Sequence, residues 1–458
     1  MVVSPKPALL FPLLLIGAAR AYTTFTTKCE NPPSSFNYVS GPDTRGSLKI
    51  LWSSLFTIFA CTWTIQHPNV PEQRNSCLPG WRGDIRWGAK RVFEGLKLAL
   101  ITVIAPEAVV MIACSDLLSA RLGLHEMKRQ FAQDQPSWTL CHSHFANMGG
   151  FVIRTTKLES PAGSVAGSLN PSGGYSQYHL TALNILRLRQ EGVLAGLPPI
   201  TEDEIYDRSK GDAFVKAVAV AQILWSIVEI TTRVARGLPI ALLELTTVAF
   251  AACATIIYAL YWRKPKMPYT TVPVLDYQGE IPEPVLRILR EAEGLLIPNV
   301  FSFLLCSFAR KRGNRKGNGL EPGSAIPPLA QEFDWSDSIT IIVVLVGAAA
   351  TVFFGAIHLT AWHFDFPSTA DQLAWRCASI YVTSYAPVLL LLPMPSVAMS
   401  VGLLKSPGER GILVTYAILS HFYILARLVM WVEIFRSFLY LPPGAFIETW
   451  ASNIPHFA

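Results

Sequence analysis

The sequence predicts an all-α fold, a polytopic bundle of about eight transmembrane helices that follows a cleaved signal peptide. Three observations support this prediction. The 458 residues are 51% hydrophobic and only 15% charged, with a mean hydropathy of +0.35, whereas soluble domains are about 25% charged. Several apolar runs are long enough to cross a hydrocarbon core of about 30 Å as helices. The net charge of +6 comes largely from short clusters beside these runs, which indicates orientation in a lipid bilayer and no nucleic-acid partner.

The N-terminus has the three parts of a secretory signal peptide, predicted over residues 1–21. Lys6 precedes an apolar run at 8–18, and an A-x-A cleavage sequence follows at 19–21. The apolar run is too short to span a membrane stably. We therefore expect a polar segment at 22–48 on the outer side, and a location in the membrane of the secretory pathway, either the endoplasmic reticulum or the plasma membrane.

The segment 49–153 is predicted to contain the first three spans. The first two cover 49–66 and 96–114, and the second has Pro106-Glu107 at its centre. The third, 138–153, is ambiguous because it is short and contains two histidines. If it crosses, the inner loops contain 23 Lys and Arg residues and the outer segments contain 7. Because basic residues concentrate on the inner side of membrane proteins, this count favours the crossing.

A transmembrane hairpin is predicted at 213–262, where two apolar runs meet at 236–239. The glycine in this connection permits a tight turn, and its proline suits the first turn of the second helix. Glu229 and Glu244 each lie about seven residues from the turn, so at about 1.5 Å per residue both are expected about 10 Å below one interface. A charge at that depth costs about 3 kcal/mol or more unless it is paired, and Arg233 is the expected partner of Glu229. A structural role and a role in a working site both stay open.

The remaining segments are assigned by composition. An inner loop at 154–212 contains a Gly/Ser/Pro-rich stretch and an acidic, helix-prone stretch around 201–212. The basic inner loop at 263–338 contains an apolar periodicity over 285–308, which is typical of a helix lying on the membrane or against the bundle. The rest divides into the last three spans within 339–432, at 339–361, 373–393 and 411–432, and an outer tail at 433–458.

Three polar or aromatic groups have two interpretations each. The aromatic connection 358–367 is either a set of interface anchors or the mouth of a cavity in which ring faces stabilise a cation. His142 and His144 lack a third ligand at a matching position, so satisfied polar residues are favoured over a metal site. The acidic stretch 203–207 superficially resembles an Asp-rich magnesium motif of membrane prenyltransferases, but a capped acidic helix start explains it better.

Short motifs are distributed over residues 208–446. They are Arg208-Ser-Lys-Gly-Asp212, Arg236-Gly-Leu-Pro-Ile240, Leu243-Glu244-Leu245, Ala249-Phe250-Ala251, Tyr261-Trp262-Arg263-Lys264-Pro265, His358 with Ala361-Trp362, Phe366-Pro367, Trp375-Arg376, Phe435-Arg436-Ser437 and Leu441-Pro-Pro-Gly-Ala-Phe446. In this combination the chain resembles a large family of fungal multi-pass membrane proteins, most of which have no assigned activity, and the similarity extends from about residue 46 to the C-terminus. In size and number of spans the chain is also similar to integral membrane terpene cyclases of fungal meroterpenoid pathways, although no catalytic motif matches residue by residue.

This resemblance implies a proton-initiated terpene cyclase that acts on a hydrophobic, prenylated substrate in secondary metabolism. Such a reaction needs a protonated acid in an apolar setting and aromatic faces for a cation, and it needs neither a metal nor another cofactor. The candidate acids are Glu244, Glu229 and Glu107, with Glu244 preferred because no basic residue lies one helical turn away. The candidate substrate-binding residues are Trp225, Trp362, Phe364, His358 and Arg376. A transporter or channel for an apolar metabolite or protons, and a receptor or scaffold whose basic loop binds anionic lipid, stay open as alternatives.

Overall fold

A computed structural model describes residues 44–71, 81–156, 175–209, 213–291, 296–297, 331–332, 337–392 and 407–450. The predicted signal peptide and most of the Gly/Ser/Pro-rich stretch lie outside these ranges. The described helices are α1 (Ser47–Thr64), α2 (Trp81–Ile104), α3 (Pro106–Phe131), α4 (Leu140–Asn147), α5 (Ala182–Gln190), α6 (Glu202–Asp207), α7 (Ala213–Ala235), α8 (Leu242–Leu260), α9 (Glu283–Glu291), α10 (Asp337–Leu359), α11 (Thr369–Leu391) and α12 (Pro407–Phe438). The described strands are β1 (Phe151–Thr156), β2 (Tyr175–Leu180), β3 (Val272–Gln278), β4 (Leu296–Ile297) and β5 (Gln331–Glu332).

Five of the described helices are long and apolar enough to cross a membrane. Their membrane-length parts are Pro106–Phe131, Ala217–Ala235, Leu242–Leu260, Ile341–His363 and Val414–Phe438. The protein is therefore mostly helical with the composition of an integral membrane protein, and the predicted count of eight spans is not reached among the residues that the structure describes.

The bundle is organised around α8, the most buried of these five helices. Small Ala, Thr and Cys side chains along α8 allow neighbouring helices to approach closely. Phe250 of α8 meets Phe354 of α10 edge to face, with ring centroids 5.7 Å apart. Helices α10 and α11 approach each other closely at Gly355, where an added Cβ would lie 2.7 Å from the Cα of Thr383. Only glycine fits there without separating the two helices.

A small sheet at one end of the bundle corrects the all-α prediction. The strand order is β2-β1-β3, with β1 antiparallel to β2 and parallel to β3. The sheet packs with α4, α5, α9 and the end of α3 around a core of its own that includes Phe145, Phe151 and Ile153. A buried strand shows a continuous apolar run, which periodicity cannot distinguish from part of a helix. This explains why β1 was absent from the prediction.

The predicted third span, 138–153, does not form a membrane-length helix. It contains α4, whose eight residues extend only about 12 Å at 1.5 Å per residue, then a turn through Gly149 at φ +79° and the strand β1. The segment just before it would lie outside if 138–153 crossed the membrane, but this segment contacts the loop 154–212, which was predicted to lie inside. Arg189 Nε lies 2.9 Å from a carboxylate oxygen of Asp134, and the Leu197 amide donates to the same carboxylate at 3.1 Å. Both segments therefore lie at the sheet end of the bundle.

The predicted second span is interrupted. Helix α2 ends at Ile104 and α3 begins at Pro106, so the proline occupies the first position of a helix instead of kinking one. The missing proline N–H costs nothing at that position. Glu107 consequently lies in the first turn of α3, inside the bundle.

The predicted hairpin is present as α7 and α8, and Gly237 has the positive φ of +66° that its turn requires. However, α8 begins at Leu242, three residues after the proline predicted to start it. Glu244 therefore lies in the first turn of α8 and not two turns into the helix. The last three predicted spans correspond to α10, α11 and α12.

Two loop predictions can be compared with the structure. The acidic stretch forms α6 behind a capping box, in which Thr201 Oγ1 accepts from the Glu204 amide and the Glu204 carboxylate accepts from the Thr201 amide at 2.7 Å. The capped-helix interpretation is thus confirmed. Helix α9 is amphipathic, and its Val285 and Leu289 side chains pack into the core beneath the sheet. Of the two predicted positions, on the membrane or against the bundle, the described part of this helix therefore agrees with packing against the protein.

Candidate functional site

The two hairpin acids do meet, but through an arginine that precedes α1. Arg45 is 4% exposed, and its Nη1 lies 2.6 Å from Glu244 Oε1 and 2.9 Å from Glu229 Oε1. Its Nη2 donates to Glu244 Oε2 at 3.1 Å, and the same oxygen accepts from the Ala241 amide at 2.8 Å. Both oxygens of Glu244 are therefore held by donors. The preferred proton donor of the sequence prediction has no free oxygen to offer a substrate.

The C-terminal tail holds Arg45 in position. Its Nε donates to the Ala445 carbonyl at 2.7 Å, and its backbone amide donates to the Phe446 carbonyl at 2.8 Å. Burial alone would lower the pKa of Arg45, but the adjacent Glu244 and Glu229 carboxylates raise it above its ordinary value. The guanidinium therefore stays charged and joins three segments of the chain.

Arg233 does not pair with Glu229 as predicted. Its guanidinium donates to backbone carbonyls instead, to Pro239 at 2.9 Å, Gly444 at 3.0 Å and Ile447 at 2.8 Å. The reason is geometric, because the turn between α7 and α8 and the turn after α12 both present unpaired carbonyls at this end of the bundle. We refer to Arg45, Glu229, Arg233 and Glu244 as the Arg45 cluster.

The space beside the Arg45 cluster is too small for a substrate. Trp225, one of the predicted substrate-binding residues, lines it together with Ser226, Glu229 and Glu244. The cavity measures about 10 Å³, which is room for about one water molecule. The arrangement of this cluster is that of a structural tie between the chain segment before α1, the hairpin and the tail.

Glu107 has a different environment. It is 4% exposed, and its Oε1 accepts a hydrogen bond from the Tyr423 hydroxyl of α12. Its Oε2 is buried and has no partner among the described residues. The Tyr423 ring packs against that of Tyr385, with centroids 4.6 Å apart. One carboxyl oxygen therefore faces the aromatic interior of the bundle with its hydrogen-bonding capacity unused.

Arg427 closes the break between α2 and α3. Its Nε donates to the Ile104 carbonyl at 2.7 Å and its Nη2 to the Val103 carbonyl at 3.3 Å. The guanidinium also lies 4.2 Å from the centroid of the Phe354 ring, a cation–π contact. Its side-chain hydrogen bonds within the described residues thus go to the carbonyls at the end of α2.

His358 contacts Phe354, the residue whose ring lies against Arg427. Its Nδ1 lies 2.8 Å from the Phe354 carbonyl, and its ring centroid is 4.6 Å from that of Phe354 and 5.8 Å from that of Trp375. The imidazole is buried, and within the part of the chain that the structure describes Nε2 has no hydrogen-bond partner. We refer to Glu107, Tyr423, Arg427 and His358 as the Glu107 cluster.

The aromatic connection after α10 lies beside a larger cavity. Arg376 donates to the Trp362 carbonyl at 2.8 Å and stacks on the Trp362 ring, so these two predicted substrate-binding residues contact each other. Phe364, with His363 and Asp365, lines a cavity of about 220 Å³ whose other walls are residues 239–242, 437 and 440–442. The structure thus places a cavity at the connection, close to the Arg45 cluster.

The two histidines and a lysine at the sheet end differ in their partners. His142 Nδ1 accepts from the Thr139 amide and its Nε2 donates to the Ile200 carbonyl at 2.8 Å, so the satisfied-residue interpretation of His142 is confirmed. His144 is buried, its Nε2 has no hydrogen-bond partner within the described ranges, and burial lowers its pKa to about 3. Lys264, from the basic inner loop, lies 2.5 Å from Asp116. Its charge is therefore used within the fold and is not available to lipid.

Two side chains that hold these clusters together, Arg45 and Tyr423, were absent from the prediction. Arg45 is a single arginine in a polar segment, and no spacing relates it to the hairpin acids. Tyr423 lies in an apolar helix where tyrosine is commonly a packing residue. The sequence feature that pointed toward the site was Pro106-Glu107. An acid inside an apolar run is energetically costly, and a residue retained at such a cost is a candidate for a functional role.

A helical bundle with five membrane-length helices, buried arginines and a buried carboxyl group defines a multi-pass type of integral membrane protein. The family model described as "Family of unknown function (DUF8562)" matches residues 19–280. The chain belongs to this family. The matched region includes Glu107 and the Arg45 cluster, whereas His358 and Arg427 lie beyond it. No curated protein and no solved structure matches the chain.

Proposed function

We propose that the protein is an integral membrane enzyme that starts the cyclisation of a prenylated, hydrophobic substrate by protonating it, with Glu107 as the proton donor. The observation that carries the proposal is the unpartnered Oε2 of Glu107 in an aromatic interior. Glu244, the donor expected from sequence, is unsuited because Arg45 and the Ala241 amide occupy its oxygens. The fungal meroterpenoid setting and the secretory-pathway membrane are parts of the same proposal.

The surrounding residues support each need of such a step. The Tyr423 hydroxyl fixes one oxygen of Glu107 and leaves the other for the substrate. The positive charge of Arg427 stabilises the carboxylate that remains after the proton has left. Tyr385 and Phe354 present ring faces that favour a carbocation, and the exclusion of water protects that cation from hydration.

We also propose a topology of six crossing helices, α1, α7, α8, α10, α11 and α12, with α2 and α3 as a re-entrant pair. Gly95 of α2 lies against the Trp63 ring near the end of α1, and Asp116 of α3 pairs with Lys264 just beyond α8. Both helices therefore reach the sheet end, while the break between them contacts Arg427 inside the bundle. Broken helices at membrane depth are tolerated where protein buries them.

The basic residues agree with this topology. Arg121, Lys128 and Arg129 were assigned to the outer side with the predicted third span. In the proposed topology they lie on the inner side, which raises the inner count of Lys and Arg from 23 to 26 and lowers the outer count from 7 to 4. The asymmetry becomes larger, as the positive-inside rule requires.

The proposal is tested with Glu107→Gln, which keeps the Tyr423 contact and removes the transferable proton. Membranes containing the wild-type protein, Glu107→Gln or Glu229→Gln are supplied with a farnesyl-substituted phenol and with its terminal epoxide, and cyclised products are measured by mass spectrometry. We expect the Glu107 variant to lose at least about a hundredfold in rate, the size typical of general acid catalysis. The Glu229 variant, matched in chemistry, serves as the control at equal amounts of folded protein. Cyclisation by Glu107→Gln at the wild-type rate would reject the donor role.

A second candidate function is transport of protons or of an apolar metabolite. The observation that favours it is the break between α2 and α3, because discontinuous helices at the centre of a bundle are typical of transporter binding sites. Purified protein in proteoliposomes with an imposed pH gradient would distinguish the two functions. Proton flux that disappears in Glu107→Gln, without any turnover of the prenylated phenols, would favour transport.

A further inference from the structure

The hydrogen bonds of His358 determine which ring nitrogen carries its proton. A backbone carbonyl only accepts hydrogen bonds, so the 2.8 Å contact between Nδ1 and the Phe354 carbonyl requires the hydrogen on Nδ1. In the neutral imidazole Nε2 then has a lone pair. This atom is buried and, over the described ranges, has no donor to accept from. A neutral nitrogen base is therefore held ready inside the bundle.

The surroundings of His358 fix the ring and connect it to Glu107. The Trp375 indole N–H donates to the His358 carbonyl at 3.3 Å, and the imidazole lies between the Phe354 and Trp375 rings. Phe354 is also the ring on which the Arg427 guanidinium lies, and Arg427 contacts the carbonyl of Ile104, three residues before Glu107. Three successive contacts, from His358 to Phe354, Arg427 and the Ile104 carbonyl, therefore connect the base to the helix break beside the acid.

We propose that His358 Nε2 accepts the proton that ends the reaction. This inference rests on the proposed function. It assigns opposite roles to the two unpartnered atoms of the Glu107 cluster, with the Oε2 of Glu107 as donor and the Nε2 of His358 as acceptor. Because the two atoms belong to different helices, the proton enters the substrate at one carbon and leaves it from another, which is what conversion of a chain into a ring with a new double bond requires.

Bonds and charges balance over the sequence. The O–H bond of Glu107 breaks, and the π electrons of the terminal alkene form a new C–H bond, leaving a tertiary cation and a carboxylate. The π electrons of the next alkene form the ring C–C bond and move the cation. The His358 lone pair then takes a proton from the carbon beside the cation, and the electrons of that C–H bond form the new alkene. After the product has left, the imidazolium releases its proton to solvent and the Glu107 carboxylate takes one up, so the net reaction is an isomerisation.

The test uses His358→Asn in full-length protein. The Asn amide can still donate to the Phe354 carbonyl, but it offers no base at the position of Nε2. His421→Asn is the control, because this exposed histidine of α12 makes the same kind of contact, from its Nδ1 to the carbonyl four residues earlier. The probes are the farnesyl-substituted phenol and its terminal epoxide, whose C–O bond breaks on protonation and leaves one hydroxyl group in every product. The readouts are substrate consumption and the ratio of cyclic product with a new alkene to cyclic product with an added, water-derived hydroxyl group.

We expect His358→Asn to consume substrate within a few-fold of the wild-type rate, while this ratio of products falls by about tenfold or more. An unchanged ratio would overturn the role of His358 alone, and so would loss of consumption in a folded variant. Failure of the wild-type protein to consume either probe would overturn the proposed function and this inference together. If His358→Asn does not fold, His358→Gln provides the same comparison.

Discussion

Replacing Arg45 by Met is expected to destabilise the protein strongly, because the substitution leaves the Glu244 and Glu229 carboxylates without their cation. Glu244 is 4% exposed, so solvent cannot replace the lost partner. Removal of one member of a buried ion pair costs about 3 to 5 kcal/mol. The lost hydrogen bond to the Ala445 carbonyl at 2.7 Å adds about 1 kcal/mol. We expect a loss of about 4 kcal/mol or more in the free energy of unfolding.

The assay is equilibrium unfolding of purified protein in detergent, followed by circular dichroism. The matched control is Lys49→Met, because Lys49 is 36% exposed where it pairs with Glu448, and an exposed pair contributes about 0 to 1 kcal/mol. A second comparison combines Arg45→Met with Glu244→Gln. The double variant should recover part of the loss, since the buried charge that lacks a partner is removed. A loss below about 1 kcal/mol in Arg45→Met, or no recovery in the double variant, would refute the tie that we assign to this cluster.

Three further predictions concern packing, pH dependence and topology. Gly355→Ala should destabilise the bundle by about 1 to 3 kcal/mol through overpacking against α11, measured by detergent unfolding beside Gly411→Ala, where a Cβ meets nothing within 4 Å. The pKa of His144 is about 3 in the folded protein against an ordinary 6.5, so between these pH values the unfolded chain binds a proton that the folded protein does not. The free energy of unfolding should therefore fall from pH 6.5 to pH 3 by up to about 1.4 kcal/mol per pH unit. Melting temperatures measured over this range should fall less steeply for His144→Asn than for the wild-type protein. A membrane-impermeant thiol reagent should label Lys128→Cys and Arg236→Cys from opposite sides, whereas labelling from one side would contradict the re-entrant pair.

The sequence was sufficient for the features that depend on local chemistry. Apolar runs of membrane length predicted the hairpin and the last three helices, and the glycine of the hairpin turn has the positive φ expected of it. The capping of Thr201 followed from residue types three positions apart. Each of these features is determined by neighbours in the chain, and for that reason a single sequence reveals it.

The features that escaped prediction depend on contacts between distant segments. Arg45 lies 184 residues from Glu229 and 199 from Glu244, so no spacing rule connects them. Glu229 and Arg233 are four residues apart in α7 as expected, but backbone carbonyls of the tail and of the hairpin turn accept the hydrogen bonds of Arg233. Strand β1 was hidden because its partners, β2 and β3, come from two other loops. For Arg45, Arg233 and β1, contacts with distant segments therefore determined the structure, and the pattern of neighbouring residues did not.

The break between α2 and α3 explains why one arginine belongs to both the fold and the site. A helix that ends inside a bundle leaves its last carbonyls without water, and Arg427 supplies donors to two of them. The buried charge of Arg427 in turn requires compensation, which the two backbone carbonyls and the Phe354 ring face provide. Glu107 follows in the first turn of α3, where the helix dipole stabilises the carboxylate that is left once the proton has been transferred. The break between α2 and α3 thus places Glu107 beside aromatic rings, with its Oε2 lacking a hydrogen-bond partner among the described residues.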